Sequence, residues 1–162
     1  VVLEFRRVLF RSPSIVEIKS ADAAPETKRL LGHFGVSAHV LVGSFRSDAL
    51  APFRDSPIAC TAARDDIIRL FARALLPGAP RTLPYQALCI PPVFNGIPLP
   101  VLRFAAMARR AGVCTHVWTV DDPARAKHYW DGGVNAMISN DPGALLAASG
   151  RPALRPQPFV VQ

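Results

Sequence analysis

Six times along its 162 residues the chain passes from a short apolar or β-branched run into a stretch of helical periodicity, and this alternation limits the folds open to it. Strands are predicted at 14–19, 39–43, 57–61, 86–90, 114–120 and 134–139, and helices over 24–34, 47–54, 64–76, 99–111, 123–131 and 142–149. A strand–helix–strand order at this spacing builds a parallel sheet through right-handed crossovers. Strands in such a sheet are covered on both faces, which fits a chain that is 50% apolar with a mean hydropathy of +0.22.

The boundaries carry their own chemistry. Asp122-Pro123 and Asp141-Pro142 each place a capping carboxylate before a proline whose missing N–H is no loss at the first helical position. Gly35-Val36, Gly112-Val113 and Gly133-Val134 each set a glycine where a helix must stop and a strand begin. Within 64–76, Ile67, Leu70, Phe71, Ala74 and Leu75 form one apolar stripe with Arg69 and Arg73 off it. Six βα units are two short of a closed eightfold barrel, and the chain is well below the roughly 250 residues such a barrel takes. The expected fold class is therefore α/β, with about six parallel βα units.

Composition narrows the function classes. No run approaches the ~18 uninterrupted apolar residues of a membrane-spanning helix. The net charge of +7 comes partly from Arg6, Arg7 and Arg11, and the other basic residues are scattered over predicted helices without interleaved aromatics. That pattern reads as a solvated helix surface, and no nucleic-acid partner is expected. Cys60, Cys89 and Cys114 sit in apolar runs without metal-ligand spacing and are expected as small core residues in a reducing compartment. Residues 1–12 read as non-native or disordered, similar to a translated sequencing-adapter remnant, and 150–162, with Pro152, Pro156 and Pro158, as an extended tail. A cytoplasmic location is the default expectation.

The candidate chemistry lies at strand ends. Glu17 and Lys19 are two apart on a predicted strand and share one face. Taken alone they are either an ion pair in a barrel layer or an outward-facing pair, or else they meet a ligand. Trp118 shares its predicted face with His116 and Val120 and stands near a strand's C-terminal end, where β/α barrels build their sites. The connection Pro91–Pro98 is long and apolar, suited to a pocket wall, a lid or a rigid connector. His116 reads as an interior histidine.

In order, Val16-Glu17-Ile18-Lys19-Ser20, Ser44-Phe45, Val117-Trp118-Thr119-Val120 and Gly133-Val134 resemble the second half of the glycerophosphodiester phosphodiesterase family, over about residues 13–149. The resemblance implies a partial TIM-type β/α barrel, its six parallel βα units being the third to eighth strands of that family's barrel, and metal-dependent hydrolysis of a small-molecule glycerophosphodiester to an alcohol and glycerol 3-phosphate. It makes Glu17 a ligand of a divalent cation, Mg²⁺ or Ca²⁺, and Lys19 a phosphate-binding cation. It gives Trp118 and Phe45 to the substrate pocket. The family's catalytic histidine pair lies before its Glu-Ile-Lys strand, so no residue of this chain is implied as catalytic and the chain alone is expected to be inactive. Two departures stand out: Asn140 replaces an Asp of the last strand's end, and Cys89 replaces a polar residue. Other readings are a different phosphate-handling β/α barrel enzyme, such as an isomerase, and a non-enzymatic basic binding module.

Overall fold

The computed structural model describes residues 13–74 and 80–150; the readings of residues 1–12, of Leu75 and of the tail beyond Gly150 fall outside them. The chain divides into two compact units, one closing at Asp65 and the next opening at Asp66. All six predicted strands and all six predicted helices are present, with ends at the predicted bounds or one to two residues inside them.

The first unit runs β1 (Ser14–Glu17), α1 (Ala24–His33), β2 (Val40–Gly43), α2 (Ser47–Arg54) and β3 (Ala59–Cys60). Its sheet is parallel in the order β1-β2-β3, with Glu17 beside Gly43 and Val42 beside Cys60. Alternation sorts the side chains cleanly. Val16, Ile18, Val40, Val42 and Cys60 pack against Leu31 of α1 and against Ala49, Leu50 and Phe53 of α2. Ile15, Glu17 and Lys19 take the opposite face, where Ile15 is 45% exposed. Gly43 lies on that face too: a Cβ there would touch Thr61 Cγ2 at 3.4 Å and Ile15 Cγ2 at 4.0 Å.

The second unit holds β4 (Ala87–Ile90), the short pair β5 (Val93–Phe94) and β6 (Ile97–Pro98), α4 (Val101–Arg110), β7 (Cys114–Trp118), α5 (Pro123–Asp131), β8 (Ala136–Ile138) and α6 (Pro142–Ala148); α3 (Arg64–Ala74) spans the division. Its sheet is parallel in the order β4-β7-β8. Among the described residues the six parallel strands form two three-stranded sheets. Leu88, Ile90, Thr115 and Val117 are fully buried along one face; Cys89, His116 and Trp118 occupy the other and are partly buried.

Three helices end alike. Val36, Val113 and Val134 donate backbone N–H groups to the carbonyls of Leu31, Ala108 and Tyr129, at 3.1, 2.9 and 2.9 Å, across a left-handed glycine. This is the Schellman closure that the Gly-Val pairs signal, and its buried valine seeds the next strand. Asp122 and Asp141 cap α5 and α6, each accepting at 3.0 Å from Ala124 N–H and Ala144 N–H.

Three expectations are corrected. The 91–98 connection is a β-hairpin, pairing Val93 with Pro98 and Phe94 with Ile97. Its two-residue Asn95-Gly96 turn has φ of 49° and 79°, the combination a tight hairpin requires, so Asn-Gly was the signal to read. The strand 114–120 ends at Trp118, before the cis Trp118–Thr119 peptide, so Val120 lies beyond it and is fully buried, whereas Trp118 is only partly so. Cys114 is exposed, not a core residue, because it begins β7 on the partly open face.

Candidate functional site

In a parallel βα sheet the C-terminal strand ends gather on one side, and in each unit a candidate residue stands at that end of its own sheet. In the first unit Glu17 closes β1, and Lys19 follows on the same face. Lys19 Nζ stands 2.6 Å from Glu17 Oε1, with the two side chains 78% and 42% exposed. An ion pair this open is worth at most about 1 kcal/mol and exchanges readily for a ligand. The pair is thus neither buried in a barrel layer nor turned toward the helices.

The backbone beneath the pair is fixed by a buried serine. Ser44 Oγ donates to the Ile18 carbonyl at 2.7 Å and accepts from Arg46 N–H at 3.1 Å. Ile18 N–H donates in turn to the Gly43 carbonyl at 2.8 Å. One hydroxyl therefore ties the residue between Glu17 and Lys19 to the turn carrying Phe45, which is 40% exposed. Nothing local to Ser44 in the sequence signals this bond, and there it only marks the motif.

In the second unit Trp118 ends β7, on one face with His116 and Cys89. Cys89 Sγ and His116 Nδ1 are 3.8 Å apart. Burial pushes the Cys89 thiol up to about 12 and holds the His116 imidazole below its usual range. Both are neutral at pH 7, an inert thiol beside an unprotonated ring. Beyond Trp118, Asp121 accepts from Asn140 N–H at 2.8 Å, Asn140 Nδ2 at 2.9 Å and Ser139 Oγ at 2.9 Å. These bonds hold its carboxyl below the usual carboxylate range. Asn140 thereby keeps the last turn's geometry, and in its place a carboxylate would face that of Asp121.

Among the described residues no three or more His, Cys, Asp or Glu side chains come together to hold a metal ion. Glu17 offers one carboxylate, whereas Ca²⁺ takes about six to eight oxygens. The residues present fit one ligand position of a cation and no more. The four histidines lie elsewhere: His33 at the end of α1, His39 before β2, His116 within β7 and His128 on α5.

Paired parallel βα units with polar side chains at their C-terminal strand ends define the class, a β/α-barrel-type enzyme fold. The sequence model of the glycerophosphoryl diester phosphodiesterase family matches residues 19–144, and the chain belongs to that family. Lys19, Phe45 and Trp118 lie within the match; Glu17 stands two residues before it. Solved glycerophosphodiester phosphodiesterases share the fold. The one from Agrobacterium tumefaciens is 18% identical with a TM-score of 0.60, over 90% of this chain and 59% of its own. That from Thermotoga maritima is 16% identical with a TM-score of 0.57, over 85% and 57%. That from Parabacteroides distasonis is 17% identical with a TM-score of 0.56, over 82% and 55%. The chain therefore spans little more than half the length of these structures. No curated protein sequence matches it. Among the described residues no helix is long and apolar enough to cross a membrane.

Proposed function

We propose that this chain carries the phosphate-binding part of a metal-dependent phosphodiesterase that hydrolyses glycerophosphodiesters to an alcohol and glycerol 3-phosphate. The observation that carries the reading is the exposed Glu17–Lys19 pair at the C-terminal end of β1, on the sheet face away from the helices, within a family of this activity. In this role Glu17 is one ligand of a divalent cation, Mg²⁺ or Ca²⁺, and the rest of the coordination comes from residues other than those described. When bound, the cation neutralises and orients a phosphate. Lys19, released from Glu17, sets a compact positive charge against a phosphoryl oxygen. Trp118 and Phe45 give apolar walls for the glycerol and alcohol parts of a small-molecule substrate.

A general acid and base are not apparent in this set. His116 is partly buried and held neutral, and the other three histidines stand away from strand C-terminal ends. Such groups are typically worth about 10²–10⁴-fold each, so the chain alone is expected to show no turnover. The test is release of glycerol 3-phosphate from glycerophosphocholine with Mg²⁺ or Ca²⁺. It compares the 162-residue chain with a longer form carrying what its relatives place before the Glu-Ile-Lys strand. The longer form should turn over and the short one should not; a longer form inert on every glycerophosphodiester overturns the reading.

A further inference from the structure

We propose that the hollow between the first turn of α4 and the side of α5 is a second anion site, which takes the phosphate group of an organic phosphate and is separate from Lys19. The hollow has a volume of about 470 Å³. Leu99, Leu102 and Tyr129 give it an apolar floor, while Arg103, Arg125 and His128 supply its basic side. No carboxylate and no strand residue lines it.

Arg29, Arg46 and Arg69 are each paired with a neighbouring carboxylate, Glu26, Asp48 and Asp66. On α5 the Asp131 carboxylate is engaged by Lys127 at 2.7 Å. Arg103 and Arg125, both exposed, have no such partner among the described residues. Two guanidinium groups border one hollow, and a guanidinium fork matches phosphate oxygens two at a time. The first turn of α4 opens here as well, and its N-cap, Pro100, has no side chain able to seal the N–H groups, which adds positive potential.

Size decides between a bare ion and an organic ligand. The volume lies within the roughly 300–1,000 Å³ of small-molecule sites, more than one phosphate fills, and the apolar floor suits a carbon skeleton. The phosphate could belong to a soluble metabolite or to a lipid headgroup, and the chemistry at the arginines is the same for both.

The test uses the 162-residue chain. Pyrophosphate binding is measured by calorimetry, and binding to phosphatidylglycerol-containing vesicles by cosedimentation. At least one probe should bind, and affinity should fall about tenfold or more in both Arg103→Gln and Arg125→Gln, the loss of one charge-assisted contact each. Arg110→Gln, on α4 but away from the hollow, should bind like the parent, and the melting curves of all variants should coincide. Binding of pyrophosphate alone assigns a soluble phosphate, and binding of vesicles alone a headgroup. Three results overturn the site: neither probe binds; Arg110→Gln weakens binding as much as the cavity arginines do; or Lys19→Gln abolishes binding while the cavity arginine variants retain it.

Discussion

The Ser44 hydroxyl reaches the Ile18 carbonyl at 2.7 Å, so a single buried side chain sets the backbone between Glu17 and Lys19. Ile18 packs into the helix-side core while its two neighbours face the other way, and Ser44 locks that parity at the strand's end.

Ser44→Ala is expected to leave the Ile18 carbonyl without its side-chain donor, destabilising the chain by about 1–3 kcal/mol. Urea unfolding followed by circular dichroism checks this. An unchanged midpoint would mean that the hydroxyl does not hold the strand end.

Asn140→Asp is expected to lower the melting temperature at pH 7, because two carboxylates would then meet where Asp121 now accepts two bonds from Asn140. The deficit should shrink as the pH falls and one carboxyl takes a proton. Pairing it with Asp121→Asn restores a carboxylate–amide contact and should recover most of the loss.

His116 gives the fold an acid sensitivity. Its folded-state pKa is lowered from 6.5 by burial, so below 6.5 the unfolded chain takes up a proton that the folded chain resists. Stability from this residue is therefore full above 6.5 and declines as the pH falls from 6.5 toward the folded pKa. A proton NMR titration should show a His116 midpoint below 6.5; a midpoint at or above 6.5 would contradict the burial seen here.

Thr115 is fully buried in β7 and its hydroxyl has no hydrogen-bond partner among the described residues. Thr115→Val removes that hydroxyl at nearly constant shape and is expected to stabilise the chain by about 1 kcal/mol. A loss of stability would reveal a partner for the hydroxyl.

Much of this was legible because local chemistry and tertiary structure agree. Asp-Pro starts and Gly-Val stops are short-range signals, and each formed the cap its residues imply. The facing of Glu17 and Lys19 followed from a two-residue period, which needs no knowledge of what lies across the sheet. The missed features depend on partners distant in sequence. Ser44 bonds 26 residues back and Asp121 bonds 18 to 19 residues ahead, and neither pairing leaves a mark in the intervening sequence. The exposure of Cys114 likewise depends on which face of the sheet is covered. The hairpin is different: Asn95-Gly96 announced it, and the surrounding prolines drew attention to a connector instead.

If Glu17 holds the cation, turnover must depend on metal concentration through its carboxylate. In a longer, active form, glycerol 3-phosphate release would be measured against Mg²⁺ and Ca²⁺ concentration for the parent and for Glu17→Gln. Replacing a charged ligand by a neutral one should raise the half-activating metal concentration by about tenfold or more, with part of the lost rate recovered at high metal. An unchanged half-activating concentration in Glu17→Gln, whatever the rate, would contradict the claim.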